Sequence, residues 1–582
     1  MARSTSSTVT EPVKRDRSSP SPSSSSSRLP VVDDTETKRP RLGTARNRAS
    51  ASASTSDQPS EPAARQDEVT ILAGLHLPLN EEVFKTFFQY AHDRHAVFLK
   101  RKQGLPQEEW TDDPVLCSTK FANVYRVLDR STQYVLTQVV QDGPQELEEV
   151  CFRIFLFRSF ARISTYEVIK SALGGPPTLA GFSPAAYENI LLPHIGAGNP
   201  VYGSSYFIPA PREFRTQYPF QSTLRLVQLM IRTKLPEKLA GVHHMRDAHA
   251  LLTLYPSLGP FLAMQLLLDL NLSEHFDFSE EEFAACGPGS RNCLVDIFGK
   301  FVSGFELDAM RWIQDNQEEY WAKYGITDVP HLCPARKPGL NVVDIEHTLC
   351  EVFKYRRAKS RLEAPPMVGR PSKRGGKRGR PPVGRTPSVA ATAAATATAA
   401  ATASPRPVKQ EDDQDGVDGL DFERIRSNGS KTSSATTDKV KTFSATGDTI
   451  TGHLPAKWLV PRPPEAYERP PPIDRTEQVY EVSHIVSITP THSKCLVRWK
   501  GFGPEDDTWE NTDELVNGGA REAVDEFLRW VEGVRDEIGR MLDEEREQRE
   551  VLERMSARGL MGESETKGVG LPFAKLPLSL PF

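Results

Sequence analysis

Three aromatic residues near the end of the chain, Tyr480, Trp499 and Phe502, are of the type that binds cations. An aromatic face attracts positive charge through its quadrupole, and several faces together suit a quaternary or tertiary ammonium. Tyr480 lies far in sequence from the other two, so a small antiparallel sheet must bring them together.

The surrounding residues supply that sheet. Tyr480 to Ile488 is rich in β-branched residues, Lys494 to Trp499 reads as a second strand and Thr508-Trp509 as a third, with Gly501 and Gly503-Pro504 as turns. Ala523, Val524, Phe527, Leu528 and Val531 recur at helical spacing and predict a helix packed on the sheet. So small a sheet needs that helix for stability.

The order and spacing of Tyr480, the run Arg498-Trp499-Lys500-Gly501-Phe502, and Asp507-Thr508-Trp509-Glu510 before Leu515 closely resemble a chromodomain. The resemblance implies that Tyr480, Trp499 and Phe502 cage a methylated lysine of a histone tail, which joins the domain as an added strand. Asp506 is expected to assist electrostatically, and Trp509 to belong to the core. Two positions depart from heterochromatin-type members: Glu514 replaces an asparagine and Asn511 a proline. In the alternative that shadow-type members suggest, Trp499 and Phe502 are ordinary core residues of the sheet and the domain binds partner proteins instead.

The chain has 582 residues, 46 of them proline, and long Ser, Ala and Thr runs that leave room for two ordered modules. A net charge of -5 puts any affinity for nucleic acid in local basic clusters. Seven cysteines without a CxxC pair, and no apolar leader, predict a reduced intracellular compartment and no structural zinc. No apolar run approaches the roughly 20 residues of a membrane span, so no membrane partner is expected.

Composition divides the chain into a disordered tail (1–66), a large helical domain (67–361), a disordered linker (362–475), the chromodomain (476–535), and a charged helix with a flexible tail (536–582). In the tail, Lys38-Arg39-Pro40-Arg41 fits a short import signal. In the helical domain, Val83, Phe87, Tyr90 and Ala91, and Leu224, Val227, Met230 and Ile231, repeat at three and four residues.

Several stretches of this region are similar to the helical domain named for hydroxymethyluracil DNA kinases and related thymine pyrophosphorylases of phage DNA. They are Trp110 to Pro114, Phe121 to Arg126 with Leu128 to Arg130, Gly259 to Ala263 with Gln265 and Asp269, Gly287 to Ser290, and Asp344 to Glu346. That family in turn resembles helix-hairpin-helix DNA glycosylases. The resemblance makes Leu258-Gly259-Pro260-Phe261 a hairpin that would meet a DNA phosphate, although Phe261 replaces the usual second glycine. A glycosylase-like site would place an acid about twenty positions further on, where Asp277, Glu280, Glu281 and Glu282 fall, with Glu281 and Glu282 as the catalytic candidates. Gly287-Pro288-Gly289 would then form a tight turn near the pocket. Arg126 and Arg130, on one helix face, and Arg153 with Arg158 are the candidate phosphate contacts. A run of acids is equally a solvated face, and each arginine an ordinary ion pair.

No GxxxxGK[ST] loop or HExxH motif is present, His243, His244 and His249 form no metal set, and no cofactor is implied. In the linker, Lys377-Arg378-Gly379-Arg380-Pro381 resembles an AT-hook. Glycine permits deep approach to an A/T-rich minor groove, the arginines meet its negative potential, and proline keeps the chain extended.

The leading expectation is a nuclear, non-enzymatic chromatin protein whose partners are a methylated histone tail and A/T-rich DNA. Two alternatives stand beside it: a glycosylase-like or base-modifying enzyme delivered to chromatin, and a scaffold subunit of a histone-modifying complex.

Overall fold

Helical spacing of apolar residues becomes a mostly α-helical unit, and the short alternating runs become a three-stranded sheet. The computed structural model describes residues 13–14, 68–72, 74–363, 452–461 and 479–557. The import-signal and AT-hook-like motifs, most of the expected tail and linker, and the final residues lie outside them. Two compact units emerge, one of Met1–Glu81 with Tyr467–Glu532, the other of Glu82–Ala466 with Gly533–Phe582.

In the helical unit, the helix Glu81–Lys102 buries Val83, Phe84, Phe87, Phe88, Tyr90 and Ala91 on one stripe. Phe84 and Phe88 meet Tyr320 and Trp321 at ring separations of 4.7 and 4.6 Å. At the centre, every side chain of Leu147–Phe160 from Val150 onward is buried, as a helix surrounded by others requires. Asp113 starts the helix Pro114–Ser118 by accepting the N–H groups of Val115 and Leu116 at 2.7 and 3.0 Å. The helix Pro288–Phe298 packs against Val342–Glu363 so tightly that a Cβ on Gly289 would lie 2.5 Å from the Cys350 sulfur. From residue 533 on, Glu537, Glu544 and Glu545 pair with Arg232 and Arg225 of the helix Pro219–Arg232.

In the other unit, Val482–Ile488, Lys494–Trp499 and Thr508–Asn511 form an antiparallel sheet with Lys494–Trp499 in the middle. A hairpin, Glu68–Leu72 with Leu75–Pro78, is also part of it. Gly519, at φ 103°, turns the chain into the helix Arg521–Ala557, where Val524, Phe527 and Val531 are buried. That helix runs fifteen residues past Leu542, where the apolar stripe ends, along a charged stretch. Among the described residues, no helix is long and apolar enough to cross a membrane.

Within the stretch expected to be linker, residues 452–461 are ordered against the helical unit. Leu454 and Trp458 are 2% and 6% exposed there, and burial of those two side chains contributes to holding the segment in place.

Candidate binding sites

Trp499 ends the middle strand opposite Val482, with its indole N–H donated to the Thr508 hydroxyl at 3.0 Å. Gly501, at φ 83°, reverses the chain, and Phe502 N–H bonds back to the Trp499 carbonyl at 3.2 Å. Lys500 N–H donates to the Glu481 carbonyl at 2.8 Å, which sets the Tyr480 strand beside this turn. The Tyr480 ring centroid then lies 6.0 Å from both Trp499 and Phe502, with ring planes inclined by 60° and 74°. The Tyr480 ring is therefore adjacent to both other rings and inclined to each.

The loop carrying Phe502 is anchored from below. Arg498 and Asp507, 3% and 0% exposed at their side chains, form a two-pronged pair at 2.5 and 3.0 Å. Asp506 closes the intervening 3-10 turn Pro504–Asp506. Asn511, in place of a proline, caps the helical turn Thr512–Leu515 by accepting the N–H groups of Asp513 and Glu514 at 2.9 and 3.3 Å. Trp509 is not core: it stands on an edge strand and is 47% exposed. Val479–Tyr480 stands apart from the three-stranded sheet, so the run expected from Tyr480 to Ile488 divides at Glu481, and it pairs with a strand from the same chain, Val13 opposite Tyr480 and Lys14 opposite Val479.

In the helical unit the candidate residues disperse. Arg153 is fully buried and donates to the carbonyls of Val139, Val140 and Pro144 at 2.8, 3.3 and 2.6 Å, capping the helical turn that ends there. Arg158 is held in a buried pair with Asp269, its Nε 2.6 Å from the carboxylate. Neither meets a phosphate, because both sit on the helix at the centre of the core. Arg126 and Arg130 do not share a helix face either: Arg126 belongs to the 3-10 turn Arg126–Leu128, and Arg130 begins the next helix. Arg126 lies over the Tyr206 ring at 5.1 Å.

Leu258 to Phe261 does join two helices, Met245–Leu252 and Pro260–Leu270. Gly259 has φ -70°, a conformation open to any residue. Gly287-Pro288-Gly289 starts the helix Pro288–Phe298 rather than forming a turn. Glu282 accepts Met245 N–H at 3.0 Å and meets His244 at 3.1 Å, a capping position for the Met245–Leu252 helix. Glu281 N–H bonds the Ser279 hydroxyl at 3.3 Å. His249 contacts the Pro260 carbonyl at 2.8 Å, and no cluster of metal-ligating side chains exists among the described residues.

Glu280 takes a different course. It accepts from Asn341 at 3.1 Å and lies 3.5 Å from Arg336. With Arg126, Asp269, Arg336 and Asp344 it lines a cavity of about 30 Å³ closed by Trp458. Burial, reinforced by Glu280, raises the Asp344 carboxyl to about 8. Sequence reasoning assigned no site role to Asp344 or Arg336, because neither lies at a fixed offset from the hairpin. A second, open groove of about 760 Å³ runs between the helices Pro288–Phe298 and Val342–Glu363, with Lys354, Arg357 and Arg361 among its lining residues.

Comparison with known proteins divides the chain in the same way. Residues 81–363 match the family model described as 5-hmdU DNA kinase, helical domain, and residues 480–529 match the Chromo (CHRromatin Organisation MOdifier) domain. A 5-hmdU DNA kinase of Bacillus phage SP10 is 23% identical over 292 residues, which cover 47% of this chain and 45% of that relative. The chain thus spans less than half the length of the curated relative it matches. No solved structure matches it.

Proposed function

We propose that this chain is a nuclear chromatin protein that binds methylated lysine on histone tails through Tyr480, Trp499 and Phe502, and holds DNA through its helical unit. The observation that carries the reading is the placement of Tyr480 at 6.0 Å from both other rings, on a strand that the sequence separates from them. A methylammonium needs such angled faces and gains little from hydrogen-bond donors. The added-strand mode of peptide binding fits the same edge, where backbone groups beside Tyr480 already pair with an extended segment.

The helical unit supports the DNA part. Its relative is named a DNA kinase, and Lys354, Arg357 and Arg361 concentrate positive charge along one groove. The AT-hook-like run Lys377 to Pro381 follows Arg361 closely in sequence, so both basic elements would act on one duplex. The kinase activity of the relative is not carried over, since no phosphate-cradling GxxxxGK[ST] loop occurs in the sequence.

A methylated histone-peptide array, followed by calorimetry of the full chain with the best peptide and its unmethylated form, tests the reading. Preference for the methylated form supports it; equal binding of both forms, or of neither, removes it. A second reading, a base-modifying enzyme delivered to chromatin, is favoured by the acid-lined cavity at Asp344 and Glu280. Mass spectrometry of hydroxymethylated duplexes after incubation with the chain would reveal altered or lost bases.

A further inference from the structure

Residues 452–461 lie beyond the 81–363 stretch that matches the family model, yet they are held against it at both ends. The Gln133 amide donates to the His453 carbonyl at 2.8 Å and accepts His453 N–H at 2.7 Å. Lys457 Nζ donates to the carbonyls of Ser273, at 2.8 Å, and Phe276. The Cys333 thiol lies 3.6 Å from the Trp458 carbonyl. Between these anchors the Trp458 indole enters the cavity, with the Arg336 guanidinium 4.1 Å from its ring centroid.

The lining combines aliphatic side chains that suit the indole, among them Leu268, Leu272 and Val343, with charged groups that it cannot engage. Two arginines and three carboxyl groups, Arg126, Arg336, Asp269, Glu280 and Asp344, face the cavity. An indole offers one donor and no acceptor. Even that donor is unused, since the buried Trp458 Nε1 has no hydrogen-bond partner. A buried donor left unmade in this way costs the folded state free energy. The space left over is about 30 Å³, room for little more than one water. A flat ring of similar size carrying both donors and acceptors on its edge would keep the stacking on Arg336 and also engage the carboxyl and guanidinium groups.

We propose that this cavity is a binding site for a nucleobase, and that residues 452–461 are an internal plug that fills it with Trp458. The base reaches the cavity either as a free nucleoside or turned out of a nucleic-acid strand. Its edge meets Asp344, Glu280 and Arg126, and its face lies on Arg336. A carboxyl that holds its proton at neutral pH gives the site a donor as well as acceptors, which fits a ring with carbonyl groups. The plug lies outside residues 81–363, which supply every other residue lining the cavity.

The test uses the full chain and two variants that release the plug. Trp458→Ala removes the ring; Lys457→Glu keeps it but breaks the anchors on Ser273 and Phe276. Each is titrated with a labelled duplex carrying one bulged thymine, with the fully paired duplex, and with thymidine alone. A plug that fills the site about nine-tenths of the time lowers apparent affinity about tenfold, so release should raise affinity for the bulged duplex or thymidine by that factor. Fully paired duplex should be unaffected. A synthetic peptide of residues 452–461 should reverse the gain, and Asp344→Ala in the released background should cancel it. A gain with thymidine identifies a free-nucleoside site, and a gain with the bulged duplex alone identifies a base presented by a strand. If Trp458→Ala does not fold, Lys457→Glu carries the same comparison. A folded variant without any gain overturns the proposal and makes the segment a structural part of the helical unit.

Discussion

Lys500 is joined to Glu481 twice: its backbone N–H donates to the Glu481 carbonyl at 2.8 Å, and its ammonium lies 3.0 Å from the Glu481 carboxylate. The backbone bond fixes the position of Tyr480 relative to the Trp499–Phe502 turn. The ion pair, with side chains 64% and 48% exposed, adds little in water. Lys500→Ala should therefore leave methyl-lysine affinity within about twofold of wild type, measured by calorimetry, since it removes only an exposed pair.

The three proposed cage walls differ in what else they support. Trp499 is 9% exposed and bonded to Thr508, so Trp499→Ala should lower both peptide affinity and melting temperature. Tyr480 and Phe502 are half-buried, and Tyr480→Ala or Phe502→Ala should lower affinity by about 0.5–2 kcal/mol with little change in melting. Intact affinity in either of these two folded variants would reassign the rings to packing.

The strand Val13–Lys14 pairs with Val479–Tyr480, along the edge where an added peptide strand would have to lie. Peptide and N-terminal segment then compete for the same backbone groups, and the segment has the advantage of being tethered. A chain lacking residues 2–16 should bind methylated peptide severalfold more tightly than the full chain. Equal affinities would show that the peptide uses a different edge.

How much of this was legible from the sequence depended on whether short-range patterns carried the signal. The three strands, their turns and the helix after Gly519 follow from alternation, glycine placement and helical spacing, whereas the nearness of Tyr480 to Trp499 and Phe502 was expected from the motif resemblance, since Tyr480 stands outside the three-stranded sheet. The exposure of Trp509 could not be read, because an edge strand and a middle strand look alike until their neighbours are known. Arg153 and Arg158 misled for a related reason: charge suggests a surface, and only the packing shows carbonyls and Asp269 satisfying both inside the core. Trp458 was overlooked because the residues around it read as linker; a lone tryptophan beside Leu454 in a polar, proline-rich stretch was the available signal.

Duplex binding should follow the open groove rather than the arginines of the core. Lys354→Glu with Arg357→Glu reverses two charges lining that groove and should weaken binding to paired DNA of any sequence. The slope of log affinity against log salt should fall by about 0.9 for each phosphate that the variant no longer neutralises. Arg378→Ala with Arg380→Ala should instead weaken A/T-rich duplexes more than G/C-rich ones, since minor-groove width is what that motif reads. Gel-shift titrations across a salt series separate the two, and equal weakening on both duplexes in the Arg378/Arg380 variant would leave a plain basic linker.

The last prediction concerns Asp344, whose carboxyl is raised from 3.8 to about 8 mainly by burial, with Glu280 adding to it and Arg336 opposing. The folded chain therefore holds a proton that the unfolded chain releases once pH passes about 4. Stability falls as pH rises wherever the folded state binds more protons, so this group costs progressively more between pH 4 and pH 8 and nothing further above that. Asp344→Asn removes the titration while keeping a carbonyl oxygen to accept Asn341 N–H, now 3.3 Å from the Asp344 carboxylate. Denaturant melts of the helical unit within the full chain should give nearly equal midpoints for wild type and Asp344→Asn at pH 4. The variant should become the more stable of the two as pH rises towards 8. A constant difference between the two across that range would mean that Asp344 is ionised in the folded protein throughout, its charge held by Arg336.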